Sequence, residues 1–496
     1  MGNSIEHDEI RFIALNWFKD SDEVDQTEFS GFSVGLTLAP TICIGLTSIV
    51  NYYVRFQNEY DKHGLLTLPV DATRLQKTVA QKLGYDIRYR AAHGLFDYDE
   101  FLPQIWHLPT HPLSGSIRLV QDVFVRNARR KKSIFIANHT TKKLAHRQPQ
   151  TLTLFRKSVF HGAFTKKSKA YFRHYEASIP KALFSSKEID FFKISLAKID
   201  AVWPEDLIKL CSEYIETIYT DSQKVIASVG AIWAEFLDHY HPHDVSLPSD
   251  DFFDTIVLYQ MCNLRGINTS GYLDGYNLLP ISPPLKTSDG RDWLAGTIYA
   301  YGTASAKMYI LQGYPSERIK MIDPPFLDNY KSIVLKDRYD FVVMTLLPCT
   351  LNVSTNYLSP RDSLREILNC LRELEITRIA IKLKVEAERH YVQSVLDELN
   401  LKADILVGKF NKVLGKTNAV IGGISTAVAE SAFVGIPYFV YEPLENGYLD
   451  EWVNSSVVIS RESIARNSEE LRNLIMEKNP SFCVPIDELV VSNATK

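Results

Sequence analysis

The chain has 496 residues, which is more than one typical hydrophobic core supports, so we expect two domains. Hydrophobic residues make up 45% and charged residues 23%, as in ordinary soluble proteins, and the net charge of −4 argues against a nucleic-acid binder that relies on overall basicity. The six cysteines show no CxxC spacing, which disfavours a disulfide framework or a zinc ribbon and favours a reducing compartment.

The N-terminal region has two features that bear on location. The first residues lack the basic and apolar regions of a signal peptide, so we expect a cytoplasmic protein. The stretch from Phe32 to Val50 is uncharged and approaches the length of a membrane span. Apolar residues alternate with small ones as far as Leu38, which predicts a strand, and Pro40 then separates this strand from a buried helix. A membrane span is the less favoured alternative.

A second predicted strand, residues 133–137, ends at Asn138 and His139, which are candidates for acceptor binding. Basic stretches surround this strand, at residues 126–132, 142–147 and 166–169. Such runs usually form solvated surface. The alternative is a patch that faces anionic lipid or an anionic acceptor glycan, which would place the protein peripherally at the inner face of a membrane.

Helical spacing of apolar residues predicts two helices, Leu207 to Tyr240 and Asp250 to Leu264. Three alternating histidines at the end of the first helix, His239, His241 and His243, have a spacing that can bind a metal ion. The intervening proline and the loop context favour unliganded side chains, so we expect no metal.

From about residue 267 onward, predicted strands and helices alternate in two runs. The first run has strands Ile267 to Leu273, Thr297 to Tyr301 and Arg318 to Ile322, with a helix from Thr303 to Leu311. The second has strands Phe341 to Leu346, Arg378 to Leu383 and Ile405 to Val407, and helices Pro360 to Leu374 and Glu386 to Leu399. Alternation of this kind is typical of doubly wound parallel sheets. We therefore predict an α/β protein with two Rossmann-like domains facing an interdomain cleft: residues 1–325 with helical insertions, residues 326–480, and a tail, 481–496.

The most informative stretch is residues 418–442, which predicts a strand, a glycine turn, a helix and a further strand. Gly422 and Gly423 permit a tight turn and keep Cβ atoms away from an approaching ligand. Ser425 or Thr426 can cap the helix, whose unpaired N–H groups and positive dipole end favour phosphate. The alternative is an ordinary βαβ unit in which the glycines serve only packing.

Other polar residues follow predicted strands, where ligands of open α/β sheets bind. The candidates are Asp274, Gly302, Lys382, Lys384 and Glu442, with Glu430 on the helix after the glycine turn. The two lysines can neutralise a phosphate leaving group, or they are simply exposed strand-end lysines. Asp274 is exposed at a strand end, although Asp-Gly is also a common turn. The sequence contains no GxxxxGK[ST] or HExxH motif, which disfavours P-loop NTPases and zincins.

The C-terminal half resembles the GT-B glycosyltransferases. IAIKLKVEAERHYVQSVL resembles their strand, basic motif and helix, and VIGGISTAVAESAFVGIPYFVYEP resembles their nucleotide-binding unit. TIYAYGTASAKMYILQGYPSERIKMIDPP is similar to the end of the N-terminal domain in surface-polysaccharide transferases, and GYLDGYNLLP to the Asp-Gly motif of bacterial retaining β-Kdo transferases.

The resemblance implies metal-independent transfer from a nucleotide sugar, CMP-Kdo or a related CMP-ulosonic acid, to a capsule or lipopolysaccharide acceptor, with no further cofactor. It implies that Asp274 is the nucleophile, that Lys382 or Lys384 offsets the leaving-group charge, and that Glu430 or Glu442 accepts hydrogen bonds from the nucleotide. Lys384 is followed by Val385 rather than by the His-Pro of many relatives, and no histidine partner is evident beside Asp274. The donor and the retention of configuration therefore stay open. The alternatives are a sugar-nucleotide epimerase of the same architecture and a non-catalytic partner in glycan assembly.

Overall fold

The computed structural model of the chain describes 19 stretches or single positions of the sequence: residues 7–30, 32–69, 74–90, 133–137, 151–155, 166–180, 191–248, 253–272, 295–311, 314–324, 327, 330, 333–334, 336, 338–345, 360–443, 459, 461–478 and 480.

The helices and strands of these residues are numbered here in chain order. The first two thirds contain α1 (His7–Asn16), β1 (Glu28–Phe29), β2 (Phe32–Ser33), α2 (Val34–His63), β3 (Leu66–Pro69), α3 (Arg74–Lys82), β4 (Ile87–Arg90), β5 (Ser133–Ala137), β6 (Thr151–Phe155), α4 (Lys166–Ser178), α5 (Phe191–Lys198), α6 (Glu205–Tyr240), β7 (Asp244–Pro248), α7 (Phe253–Leu264), β8 (Asn268–Tyr272), β9 (Thr297–Tyr301), α8 (Gly302–Leu311) and β10 (Ile319–Ile322). The last third contains β11 (Tyr339–Met344), α9 (Pro360–Glu373), β12 (Ile379–Lys382), α10 (Arg389–Leu399), β13 (Asp404–Leu406), α11 (Phe410–Leu414), β14 (Thr417–Gly422), α12 (Ala427–Val434), β15 (Tyr438–Tyr441), β16 (Ile464–Ala465) and α13 (Ser468–Met476). Short 3₁₀ turns occupy Ser316–Arg318, Glu386–Glu388 and Arg461–Ser463.

Two six-stranded parallel sheets organise the fold. The N-terminal sheet has the order β10-β9-β8-β7-β5-β6, which is a flavodoxin-like order extended by one strand. The C-terminal sheet has the order β13-β12-β11-β14-β15-β16, so its strands, counted along the chain, lie as 3-2-1-4-5-6, the Rossmann order. This GT-B-like α/β architecture confirms the predicted fold class. The division at residues 325 and 326 stays a prediction.

Helix α2 corrects the strand that we predicted from residue 32. Strand β2 has only two residues, and the helix begins at Val34 and runs through Pro40. The hydroxyl of Ser33 starts the helix by accepting a hydrogen bond from the amide of Leu36 at 3.0 Å. The alternation of small residues reflects close packing, since a Cβ atom on Gly35 would lie 2.1 Å from Cγ of Phe18.

In the described part of the chain, α2 is the one helix that is long and apolar enough to cross a membrane. Inside the protein, 88% of its most apolar window is buried. That burial is what the core helix of a globular domain shows, and the prediction of a buried helix after Pro40 agrees with it.

Helix α6 begins at Glu205 and ends at Tyr240, close to the predicted range. His241 is its C-cap, with a left-handed φ of 43°, and the chain then enters β7 at Asp244, a strand that the histidine-rich sequence did not predict. The carboxylate of Asp244 accepts hydrogen bonds from Ser133 and Asn268 of the neighbouring strands. Within the described ranges, no group of three or more histidine, cysteine, aspartate or glutamate side chains is arranged to hold a metal ion.

Four cysteines lie among the described residues, and all four are buried and free: Cys43, Cys211, Cys262 and Cys370. Burial raises the pKa of each thiol, to about 12 for Cys43 and Cys262. These side chains therefore behave as small hydrophobic core residues.

The two faces of the C-terminal sheet are packed differently. One face carries α9, α10 and α13, whose apolar side chains form a separate cluster. The other face carries α12, and four of its residues belong to the large apolar cluster that also contains the core of the N-terminal sheet: Ala427, Val428, Ala429 and Ala432. The helix after the glycine turn is therefore packed into the core that both halves share.

Candidate functional site

The carboxyl edge of the C-terminal sheet brings together the candidates from this half of the chain. In the Rossmann order, the direction of winding reverses between β11 and β14, and ligands bind in the crevice outside these strand ends. Strand β14 ends at Gly422, β12 ends at Lys382, and Glu442 directly follows β15. The reversal point therefore lies at the glycine turn, with the lysines on the far side of β11.

The space beside Gly422 is occupied by Tyr438. A Cβ atom on Gly422 would lie 2.4 Å from the hydroxyl oxygen of Tyr438 and 3.1 Å from Cβ of Met344. The same hydroxyl donates a hydrogen bond of 2.8 Å to the carbonyl oxygen of Gly423. The expectation that Gly422 leaves room for a ligand is wrong, because its missing side chain is required by packing.

The start of helix α12 nevertheless presents available N–H groups. Thr426 is the N-cap residue and makes no side-chain capping bond, whereas Oγ of Ser425 accepts from the amide of Ala427 at 3.3 Å. Among the residues that the structure describes, no acceptor meets the amides of Ser425 and Thr426 themselves. Two N–H groups at the positive end of a helix form an environment that favours an anion.

Glu442 is hydrogen-bonded to the backbone of the glycine turn. Its Oε1 accepts a hydrogen bond of 2.8 Å from the amide of Ile424, and the side chain is buried. Burial raises the pKa of Glu442 to about 7, opposed by the Ile424 N–H and by the charge of Arg466. We expected this carboxylate to receive a nucleotide's hydrogen bonds, but in the structure it fixes the turn.

Glu430 lies on α12 and is also engaged. Its carboxylate accepts a hydrogen bond from the hydroxyl of Tyr330, which lies on the connection between the two sheets. Burial raises the pKa of Glu430 to about 7, and the Tyr330 hydrogen bond acts against this shift. A ligand that used Glu430 would have to share it with Tyr330 or displace Tyr330.

The two lysines of the basic motif differ in their surroundings. Lys382 is the last residue of β12, and its buried ammonium group donates to the carbonyl oxygen of Leu383. Lys384 lies beyond the strand and is exposed, although enough protein surrounds its amine to lower its pKa. Burial lowers the pKa of both lysines, and the carboxylate of Glu388 opposes this effect. The alternative that both are ordinary exposed lysines is wrong for Lys382.

Sequence reasoning missed Glu388 and Thr345. One carboxylate oxygen of Glu388 accepts hydrogen bonds from the hydroxyl of Thr345 at 2.8 Å and from the amides of Lys384 and Val385 at 2.7 and 3.2 Å. Thr345 directly follows β11, at the reversal point of the sheet. The sequence did not reveal Glu388, because Val385, three positions earlier, is not a usual capping residue, and the contact with Thr345 spans 43 residues.

The remaining candidates belong to the N-terminal sheet. Gly302 follows β9 and begins α8 with a left-handed φ of 68°. Asp274, Asn138 and His139 lie outside the described residues; the strands that precede them end at Tyr272 and Ala137. Their proposed roles therefore stay predictions.

Neither the protein-family comparison nor the search of curated proteins gives a match. Among solved structures, the UDP-N-acetylglucosamine 2-epimerase from Rickettsia bellii is 9% identical, with a TM-score of 0.38 over 70% of this chain and 88% of its own. MnaA of S. aureus in a co-structure with UDP is 12% identical, with a TM-score of 0.39 over 70% and 86%. Anabaena HepE in complex with UDP and glucose is 12% identical, with a TM-score of 0.34 over 70% and 89%. At these values the likeness carries neither a substrate nor a reaction over to this chain.

Proposed function

We propose that the protein is an enzyme that binds a nucleotide-activated sugar at the carboxyl edge of its C-terminal sheet and transfers the sugar to a glycan or glycolipid acceptor. The observation that carries the proposal is that anion-favouring amides and two lysines lie at the same edge of the C-terminal sheet. The amides of Ser425 and Thr426, which meet no acceptor among the described residues, lie at the reversal point of a Rossmann-ordered sheet, and Lys382 and Lys384 lie at the end of a strand on the same edge.

The chemistry follows from the charges at this edge. The amides at the start of α12 bind a phosphate group, and Lys382 and Lys384 offset the negative charge that the nucleotide gains as it leaves. Burial of Lys382, and the protein around the amine of Lys384, partly desolvate these ammonium groups. Their charge therefore acts on a phosphate more strongly than it does in water.

For the N-terminal half, residues 1–325 in our division, we propose the acceptor side, with Asn138 and His139 as acceptor-binding residues. Asp274 attacks the anomeric carbon and breaks its bond to the nucleotide phosphate, which leaves with the electron pair. An acceptor hydroxyl then attacks the anomeric carbon and releases its proton to water, while the bond to Asp274 breaks with its electron pair returning to the carboxylate, so that configuration is retained. CMP-Kdo as the donor is the expectation from the resemblance.

Nucleotide binding is tested first, by calorimetric titration with CMP, UDP, GDP and ADP. We expect at least one of them to bind. Lys384→Ala should lower the affinity of the protein for that nucleotide about tenfold. Lys402→Ala is the matched control, because Lys402 is exposed and precedes β13, at the opposite edge of the sheet. No binding by the wild type, or equal losses in both variants, would refute the proposal.

The reaction is tested next with the nucleotide sugar of the base that binds. Transfer requires an acceptor and, with Asp274 as the nucleophile, gives a sugar adduct on the protein that mass spectrometry detects and Asp274→Asn abolishes. Conversion of UDP-N-acetylglucosamine to its C2 epimer without an acceptor would instead identify an epimerase. Binding without any turnover would identify a non-catalytic partner in glycan assembly.

A further inference from the structure

The buried carboxylate of Glu388 joins two strand ends at the proposed nucleotide site. Its side chain is fully buried, and it accepts hydrogen bonds from the hydroxyl of Thr345 after β11 and from the amide of Lys384 after β12. The hydroxyl of Thr345 in turn accepts from the same Lys384 amide at 3.1 Å and lies 3.3 Å from the carbonyl oxygen of Lys382. These contacts fix the backbone from which both lysines project.

A charge in this position is costly unless cations offset it, because a buried carboxylate loses its hydration. In the described part of the chain, the charged groups that act on the two lysine amines are Glu388 and, for Lys382, also Lys384. The carboxylate favours the protonated amines, whereas burial and the mutual repulsion of the lysines disfavour them. Glu388 thus helps to keep two partly desolvated amines charged.

Helix capping alone does not account for this arrangement. A cap needs only the bond from Val385 to Glu388, which a neutral glutamine would also accept. The bonds to Thr345 and Lys384 reach back to the reversal point of the sheet, and one oxygen takes all three bonds. In the residues that the structure describes, the other oxygen, Oε1, is buried and has no hydrogen-bond partner.

We propose that Glu388 is the positioning residue of the nucleotide site: its carboxylate fixes the backbone that carries Lys382 and Lys384 and favours their charged form, so that their positive charge acts on the phosphate of the bound nucleotide. The inference rests on the proposed function and adds to it a residue that does not itself touch the ligand. Thr345 acts through Glu388, because its hydroxyl holds that carboxylate against the end of β11.

The test compares Glu388→Gln with Glu386→Gln. Glu386 carries the same charge two residues earlier, but it is exposed and paired with Arg389. Apparent pKa values of the lysines are measured in the ligand-free protein by competitive acetylation and mass spectrometry. Affinities for CMP, UDP, GDP and ADP are measured by calorimetry. We expect Glu388→Gln to lower the pKa of Lys382 and Lys384 by about one unit and to weaken nucleotide binding about tenfold. Glu386→Gln should change neither.

Thr345→Val gives a second measurement if Glu388→Gln does not fold, and Thr345→Ser, which keeps the hydroxyl, is its control. We expect the valine variant alone to weaken binding. Unchanged lysine reactivity or unchanged nucleotide affinity in Glu388→Gln would overturn the inference while leaving nucleotide binding intact. A wild-type protein that binds none of CMP, UDP, GDP and ADP would overturn the proposed function and this inference together.

Discussion

The packing of Gly422 against Tyr438 permits a sharp test of the glycine turn. In Gly422→Ala, the new methyl group would lie 2.4 Å from the tyrosine hydroxyl and 3.1 Å from Cβ of Met344. Neither β14 nor β15 can move freely, because both are interior strands of the sheet. Overpacking of this kind costs about 2 kcal/mol of the free energy of unfolding. We also expect loss of nucleotide binding, because the amides of the turn would shift.

Tyr438→Phe removes the clashing atom. Alone, it costs about 1 kcal/mol, because the carbonyl oxygen of Gly423 loses its donor. Combined with Gly422→Ala, it leaves the new methyl group at 3.1 Å from Met344 and 3.3 Å from the ring carbon of Tyr438, distances that small shifts can relieve. The double variant should therefore be more stable than the sum of the single losses predicts, by about 1 kcal/mol.

Urea denaturation of the four proteins measures this coupling. Gly435→Ala is the control: its φ of 72° makes alanine unfavourable, but no atom lies within 4 Å of the added Cβ, so its cost should simply add to that of Tyr438→Phe. If the losses from Gly422→Ala and Tyr438→Phe also add, the hydroxyl does not occupy the space beside Gly422, and our account of the turn is wrong.

Two further predictions concern buried polar groups. The pKa of Glu442 is raised from 4.5 to about 7, so the unfolded chain loses this proton first and stability falls as pH rises between these values. Glu442→Gln keeps an acceptor for the Ile424 amide, so it should leave the free energy of unfolding unchanged below pH 4.5. Above pH 7 it should increase this free energy by at most about 3 kcal/mol. If denaturant titrations give the wild type and the variant the same dependence of stability on pH, this prediction is wrong. Gln260→Leu should destabilise by about 2–4 kcal/mol, because both backbone groups of Ser33 lose a buried hydrogen-bond partner. Gln393→Leu, at an exposed position, should change stability by less than about 0.5 kcal/mol, and similar losses in the two glutamine variants would refute the reasoning.

Much of the C-terminal half was predictable because its signals are local. Helix α10 ends at the predicted Leu399, helix α9 ends one residue before the predicted Leu374, and Gly435 ends α12 with a left-handed φ of 72°. Apolar runs, helical spacing and glycine stops each act within one element, so a single sequence displays them. The strand order of the two sheets then follows the usual preferences of parallel α/β units.

The interactions that shape the site could not be predicted in the same way. Glu388 meets Thr345 across 43 residues and Glu442 meets Ile424 across 18, and no periodic pattern relates such pairs. The wrong strand prediction before α2 has a related cause, because Gly35 is required by its contact with Phe18, which lies in the turn after α1. Tertiary contacts thus decided the element type there and the roles of both carboxylates.

The shared core has a consequence for dissecting the molecule. The buried alanines of α12 lie in the same apolar cluster as Ile298 and Tyr301 of the N-terminal sheet. A chain divided near residue 325 would expose this shared apolar surface on both fragments. We expect the fragments to aggregate when they are produced separately and to remain in solution when they are co-expressed. Partial reactions of isolated halves would then reveal little, and the nucleotide-binding half is better studied by point substitution in the intact chain.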